Sequence, residues 1–493
     1  MKTKTYALRG ACLSLLSGVV LWLAFPPLKL GGFAWMALAI VFTAQIKYAP
    51  TRRLFGLYAA LGPSVTVLLL IRGVPAGYTL LYAAPVLVFA LIYLFTFWQR
   101  ELALKNNAKY FTALAALGII ATEFIRQPTP IGQFACLAMT QIRHPIFLQI
   151  VSMFGVYGVT VLIVVVNCTL ALFVAYRENL KAVNRQMRVN GLIIMGLMLA
   201  NIILWVRPIP EIGRIKVAAA QFGYVPEAKT HQGLKAFDAA VRKKDFPGAA
   251  RLAIDALEPI TRTTASRGAQ LIVWPETILD VDPDKHPDIQ RRVTAIARGT
   301  RATFVFGHYN FLPGHEKEAN PPGTNKATVI GPDGRALLVY EKIHRVTSFG
   351  VEKGPVGHDP GVVDTPAGRL GVMICYDADY QDVARAAVKN GAKILIVPSH
   401  DLALFLTRLH PWMAYFRAIE LRRSLVKSDY VFGTLIVDPK GRVLADPADG
   451  RNISVTDVPL TDDANPQLPI ILFPWLAAAA LAVCVALAAR DKG

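Results

Sequence analysis

"GVMICYDADY", residues 371–380, ends an apolar run on a cysteine and follows it with two acids, Asp377 and Asp379. A short apolar run bounded by polar turn residues reads as a buried strand. Cys375 therefore stands where a strand delivers its last side chain to the edge of a sheet. The chain has five cysteines, and the other four (Cys12, Cys136, Cys168 and Cys484) lie in or beside long apolar segments. A lone cysteine on an apolar strand is ordinarily packing. As the one cysteine of its domain, Cys375 has no partner there for an intramolecular disulfide. The choice is between packing and chemistry.

The surrounding chain falls into two unlike parts. Of its 493 residues 54% are hydrophobic and 18% charged, and the mean hydropathy is +0.40. The apolar excess sits in residues 1–207 and 468–493, while 208–467 read as an ordinary globular domain. A helix needs about 17–25 apolar residues to cross a bilayer. Seven stretches near 8–25, 30–47, 54–72, 78–98, 110–126, 146–176 and 189–206 approach that length, and an eighth lies near 468–489. The sixth is longer than a span needs, and the part before Gly155 and Gly158 is expected at the interface.

Charge orients this layout. One set of alternate loops carries Lys2, Lys4 and Arg9, then Lys47, Arg52 and Arg53, then Arg100, Lys105 and Lys109, then Arg177, Lys181, Arg185 and Arg188, and finally Arg490 and Lys492. The opposite loops carry only Lys29, Arg72, Arg126 and Arg143. The positive-inside rule then places both termini in the cytoplasm and residues 208–467 on the outer side. "FPPLKLGG" (25–32) offers no small-residue cleavage site, so the first apolar run is expected to be a span and not a signal peptide. Loops facing anionic lipid take up much of the +19 net charge, and no aromatic–basic recognition module appears, so no nucleic-acid partner is expected.

Within 208–467 short β-rich runs alternate with helical periodicity. Strands are expected at 215–222, 270–276, 303–310, 369–377 and 392–399, with helices at 247–266 and around 380–390. Residues 325–342 read as a hairpin turning on Asp333 and Gly334, and 433–446 as a second. "RAIELRRSLVK" (417–427) reads as a helix. The sum is a layered α/β domain.

Nucleotide-binding loops, the G-x-S-x-G elbow and zinc-type cysteine or histidine spacings are all missing, so no cofactor or metal is expected. Ser399, His400 and Asp401 resemble a triad in print, but consecutive side chains point in different directions. Three other residues each stand just past an apolar strand: Glu276 after "LIVWP", Lys342 after "LLVYE" and Cys375 after "GVMI". Together they suit acyl transfer. A carboxylate can take the thiol proton, the thiolate attacks, and an ammonium can stabilise the oxyanion. The N–H of Tyr376 is a candidate second donor. In the spans, Glu123 and Arg126 lie three apart on one helix face, as a functional or an interfacial pair. His344 and His358 read as loop histidines.

The order "WPE", "YEKIH", "ICYD" resembles the carbon–nitrogen hydrolase (nitrilase) superfamily. With "LAFPPLKLGGFAWMAL", "TEFIRQ" and "LQIVSMFGVYGVTVLIVVVN" in the spans, the chain is similar to the apolipoprotein N-acyltransferases of bacterial inner membranes. The resemblance implies a multi-span α-helical membrane domain (1–207), a nitrilase-like α-β-β-α sandwich on the periplasmic side (208–467) and a C-terminal transmembrane helix (468–493). It implies a triad of Glu276 as base, Lys342 as oxyanion stabiliser and Cys375 as nucleophile. Tyr376, Asn325, Glu352 and Asp377 would support it. An acyl chain would pass from a phospholipid through a Cys375 thioester to the N-terminal amine of a diacylglyceryl-cysteine lipoprotein. Asp377 stands where the family usually carries Glu. That favours an alternative, a membrane-anchored amidase that uses the same triad with water as acceptor.

Overall fold

The computed structural model describes residues 2–72, 84–127, 132–222, 230–319, 321–346, 352–401, 409–430, 433–446 and 453–463, with isolated residues 472, 475, 479 and 482. Apart from those isolated residues, the eighth expected span (468–489) lies outside the described residues, as does the start of the fourth. The chain divides into two compact units, residues 1–129, 133–207 and 466–493 in one, and 130–132 and 208–465 in the other.

Among the described residues of the first unit, five helices are long and apolar enough to cross a membrane: Thr5–Ala24, Arg52–Leu70, Ala84–Ala103, Val156–Ala175 and Leu180–Val206. The second and fifth expected spans form apolar helices of 15 and 16 residues, Ala34–Tyr48 and Phe111–Arg126. At about 1.5 Å per residue these fall short of a 30 Å hydrocarbon core. The long sixth stretch is broken at Gly155, whose φ of 62° ends the short helix Val151–Phe154 before Val156 begins the next. Small residues let these helices close up: a Cβ on Gly18 would stand 2.3 Å from the carbonyl oxygen of Gly62. Asn167 binds Ala39 N at 2.8 Å and Ala34 O at 2.9 Å, tying two helices by a buried amide. Glu123 is buried, accepting from Leu137 N at 2.9 Å and Thr160 Oγ1 at 2.7 Å, while Arg126 donates to Phe134 O. The carboxylate therefore ties a helix to its neighbours.

The second unit holds two six-stranded sheets. The first contains β1 (Glu211–Ala220), β2 (Leu271–Val273), β3 (Thr303–Phe311), β4 (Gly323–Ile330), β5 (Ala336–Glu341) and β12 (Ile453–Thr461) in the order β12-β1-β2-β3-β4-β5. The second contains β6 (Gly361–Thr365), β7 (Gly368–Val372), β8 (Ile394–Ser399), β9 (Ser424–Asp429), β10 (Leu435–Val437) and β11 (Val443–Ala445) in the order β11-β10-β9-β8-β7-β6.

Strand periodicity of two explains the layers. Val217, Ala219, Leu271, Val273 and Val305 point into the core shared with Val372, Ile394, Ile396 and Val426 of the other sheet. Their neighbours Ala218, Ala220, Ile272, Trp274, Phe304 and Phe306 point to the opposite core, against helices Phe246–Ser266 and Pro287–Thr300. Helices Gln381–Lys389 and Pro411–Leu421 pack on the second sheet. The result is the α-β-β-α sandwich. Trp274 is fully buried, and its indole N–H donates to Thr261 Oγ1 at 2.8 Å. Trp274→Ala is expected to cost about 3–5 kcal/mol, read as a lowered unfolding midpoint in detergent.

Two sequence expectations fail here. The strand read over 369–377 ends at Val372, and Cys375–Asp379 is a 3₁₀ turn. The helix read over 417–427 stops at Leu421, where Arg422 takes a left-handed φ of 52°, and Ser424–Asp429 is a strand. Both faces of that strand are buried, so it shows no polar–apolar alternation to mark it. Strands β6 and β12 and the helices Thr230–Arg242 and Pro287–Thr300 are additions to the sequence reading.

Candidate active site

β1, β2 and β3 run parallel, as do β7, β8 and β9. Parallel strands carry their C-terminal ends to one edge, where open α/β sheets place their ligand sites. Glu276 follows β2, Cys375 follows β7, Asp401 follows β8 and Asp429 ends β9. Lys342 reaches the same region by two reversals, since β4 is antiparallel to β3 and β5 to β4. The register sets Lys326 opposite Glu341, so the next residue, Lys342, bonds through its N–H to Asn325 O at 2.9 Å. Asn325 and Lys342 are neighbours by strand pairing.

Four of the expected residues form one buried cluster. Lys342 Nζ lies 2.8 Å from Glu276 Oε1 and 2.8 Å from Glu352 Oε1. Asn325 Nδ2 donates to the same two oxygens at 2.7 and 2.6 Å. Glu352 Oε2 accepts from Val346 N at 2.7 Å. Lys342 is 2% exposed and Glu276 3%. Burial alone would strip the Lys342 proton, but the carboxylates of Glu276 and Glu352 outweigh it and hold the ammonium charged. Against the same burial, Lys342 keeps the Glu352 carboxyl below its ordinary range.

Cys375 is 6% exposed and opens a 3₁₀ turn, Cys375–Asp379, with a left-handed φ of 47°. A non-glycine residue there carries about 1–3 kcal/mol of strain, and such strain clusters at active sites. Burial first, and the Glu276 charge second, push its thiol well above the ordinary value, with Lys342 opposing. Burial thus favours the neutral thiol, and a thiolate at this position would need a neighbouring base.

Asp377 sits among backbone donors. It is fully buried and accepts from Tyr340 Oη at 2.8 Å, Ile343 N at 3.2 Å, His344 N at 2.7 Å and Ile374 N at 3.0 Å. It therefore ties the segment after Lys342 to the turn that carries Cys375. Asp377→Asn replaces an acceptor with a donor and leaves a buried N–H unpaired, a cost of about 1–3 kcal/mol, measurable as a lowered unfolding midpoint. The Tyr376 hydroxyl accepts from Tyr380 Oη at 3.0 Å. His344, expected as a plain loop residue, pairs with Asp382 at 2.9 Å and stacks on Tyr380 at 4.0 Å.

Gly307 on β3 permits the close approach behind Glu276. A Cβ there would stand 2.5 Å from Glu276 Cα and 2.7 Å from Pro275 O. Gly307→Ala is expected to displace Glu276 and cut acyl transfer about 100-fold, with the loss in kcat.

The Ser399–His400–Asp401 run is no triad, yet each member frames the site. Ser399 O accepts from Glu276 N at 3.3 Å, His400 Nδ1 meets Thr277 Oγ1 at 3.1 Å, and Asp401 joins a second buried ionic cluster. In it His410 pairs with Asp401 at 2.6 Å and Asp379 at 3.0 Å, and Lys427 with Asp401 at 3.2 Å and Asp429 at 2.9 Å. The sequence reading missed His410, Lys427 and Asp429. Spacing of two on a strand would have put Lys427 and Asp429 on one face, but the helical reading separated them. Cys375, Asp401 and His410 offer ligand atoms within 4.8 Å of one another. A metal ion there would have to displace the Lys427 ammonium and the His410 proton, which already match the carboxylates, so the residues do not fit one.

Residues 216–463 match the carbon-nitrogen hydrolase family model, and residues 17–169 match the apolipoprotein N-acyltransferase N-terminal domain. The apolipoprotein N-acyltransferase of Geobacter metallireducens is 26% identical, over 88% of this chain and 86% of that one. A nitrilase of Pyrococcus abyssi is 28% identical, over 38% of this chain and 76% of its own. A nitrilase-superfamily amidase of Nesterenkonia aligns with a TM-score of 0.38 at 18% identity, over 52% of this chain and 94% of that one. The chain thus belongs to the carbon–nitrogen hydrolase family, in the membrane-borne branch that carries the apolipoprotein N-acyltransferase N-terminal domain.

Proposed function

We propose that the protein is an apolipoprotein-type N-acyltransferase that moves a fatty acyl chain from a phospholipid to the N-terminal amine of a diacylglyceryl-cysteine lipoprotein. Glu276 takes the Cys375 proton as the sulfur attacks the donor ester. Lys342, with the Tyr376 N–H, faces the oxyanion. The proton then passes from Glu276 to the departing lysophospholipid alkoxide, leaving a thioester. In the second half the acceptor amine attacks that thioester, Glu276 takes its proton, and the thiolate leaves and is reprotonated. Residues 208–467 work on the outer face of the bacterial inner membrane, a placement that the excess of basic residues on the opposite loops supports.

One observation carries this reading: the buried thiol, carboxylate and ammonium belong to a chain that has, among its described residues, five helices of membrane-crossing length. A substrate already in the bilayer needs no extraction, which would cost about 0.8 kcal/mol per CH₂. A soluble amide would need none of those helices. The match to the acyltransferase N-terminal domain weighs the same way against the amidase reading.

The test is to incubate purified protein with phospholipid labelled in its acyl chains. Label should appear on Cys375, be released by hydroxylamine, and pass to a diacylglyceryl-cysteine peptide as an amide. A wild-type protein that never acquires label overturns the phospholipid donor. Label lost only as free fatty acid in the presence of the peptide overturns the amine acceptor.

A further inference from the structure

The proposed chemistry uses Glu276, Lys342 and Cys375, and leaves a second buried charged cluster beside the thiol without a task. A ring nitrogen of His410, a carboxylate oxygen of Asp401 and Cys375 Sγ lie within 4.8 Å of one another. The His410 ring stands between two carboxylates as an ion-pair bridge: Nε2 lies 3.0 Å from Asp379 Oδ1 and Nδ1 lies 2.6 Å from Asp401 Oδ1. Its two partners are informative. Asp379 closes the turn that Cys375 opens, and Asp401 stands two residues past β8.

Asp401 is anchored in turn by Lys427, which also holds Asp429, both on β9. Burial alone would lower the His410 pKa, but Asp379 and Asp401 outweigh it and push it up to about 10. The ring is therefore an imidazolium bridge at neutral pH. Gly433 leaves the room this network needs: a Cβ there would lie 2.3 Å from Asp429 Oδ2, 2.6 Å from Asp401 Oδ2 and 2.7 Å from Lys427 Nζ.

The left-handed turn at Cys375 must be held at both ends to keep its shape. Asp377 holds the near end through Ile374 N. We infer that His410 is a positioning residue for the acyl transfer, bridging Asp379 to Asp401 and so fixing where the Cys375 thiol stands relative to Glu276 and Lys342. This rests on the role proposed for Cys375.

The test uses the full chain in detergent with two readouts: the rate of thioester formation from labelled phospholipid, and the rate of Cys375 alkylation by iodoacetamide, which needs no lipid. His410→Gln should slow thioester formation at saturating donor by about 10- to 100-fold, with KM within about twofold of wild type, and should change the alkylation rate. Asp379→Asn should do the same, and the double variant should lose little more than either single, because the two act as one unit. Gly433→Ala crowds the network without removing a charge and should reproduce the loss; it and Asp379→Asn carry the test if His410→Gln does not fold. Wild-type rates in the single variants, a loss confined to KM, or additive losses in the double variant overturn the inference. Wild-type protein that takes no acyl label, with alkylation still altered by His410→Gln, overturns the phospholipid reading and leaves the positioning role standing.

Discussion

Glu276→Gln is expected to slow thioester formation on Cys375 by about 10²–10⁴-fold while the protein stays folded. The glutamine oxygen still accepts from Lys342 Nζ and Asn325 Nδ2, which bind Glu276 Oε1 at 2.8 and 2.7 Å. Shape and hydrogen bonding survive, and only the basic oxygen is lost. The loss is large because burial holds Cys375 as a thiol, its pKa well above the ordinary 9.0. A cysteine that ionised by itself near neutrality would not need the carboxylate. Single-turnover acylation across pH is the measurement. Full activity in this variant would remove Glu276 from the mechanism.

Lys342→Met is expected to cost activity and stability together. Removing an oxyanion donor typically lowers kcat about 10²–10³-fold. Breaking a buried ion pair by deleting one partner costs about 3–5 kcal/mol, because the remaining charge is left uncompensated. Here two carboxylates are left, Glu276 and Glu352, both bound to the same ammonium at 2.8 Å. The pH dependence follows with its sign. In the wild type Lys342 holds the Glu352 pKa below 4.5, so that carboxylate contributes stability above its unfolded pKa and loses it as pH falls. Without Lys342, burial raises the same group, which is then favoured in its protonated form at low pH. The gap in unfolding midpoint between wild type and Lys342→Met should be widest near neutrality and narrow as the pH falls toward about 4. An equal midpoint at neutral pH would show that the cluster does not depend on its cation.

Glu352 shows how far local sequence reaches. It stands ten residues past Lys342 in a polar loop, where glutamates are ordinarily just hydrated, and spacing gives no reason to bring it back. Resemblance to the family selects it. In the folded chain its two oxygens take Lys342, Asn325 and Val346, contacts that depend on how β4 and β5 pair. Asp377 is the converse. In the sequence it reads as a departure from the family pattern that bears on substrate, whereas its four hydrogen bonds go to Tyr340 and to the backbone at Ile343, His344 and Ile374.

By itself the sequence determined the elements with a strong local signal: the apolar helices of the first unit, the short apolar runs that form β1, β2 and β3, and the runs that Glu276, Lys342 and Cys375 follow. Those are local properties, since hydrophobic spacing of 2 or 3.6 is set by backbone geometry alone. Tertiary structure decided the rest. Segment 424–429 is a strand because it lies between β8 and β10 with both faces covered, a placement no local period records. The Asp379, Asp401, His410, Lys427 and Asp429 cluster exists because β7, β8, β9 and the helix starting at Pro411 converge beside Cys375. Buried charges are stable only where partners from distant parts of the chain meet them, and that meeting is a property of the fold.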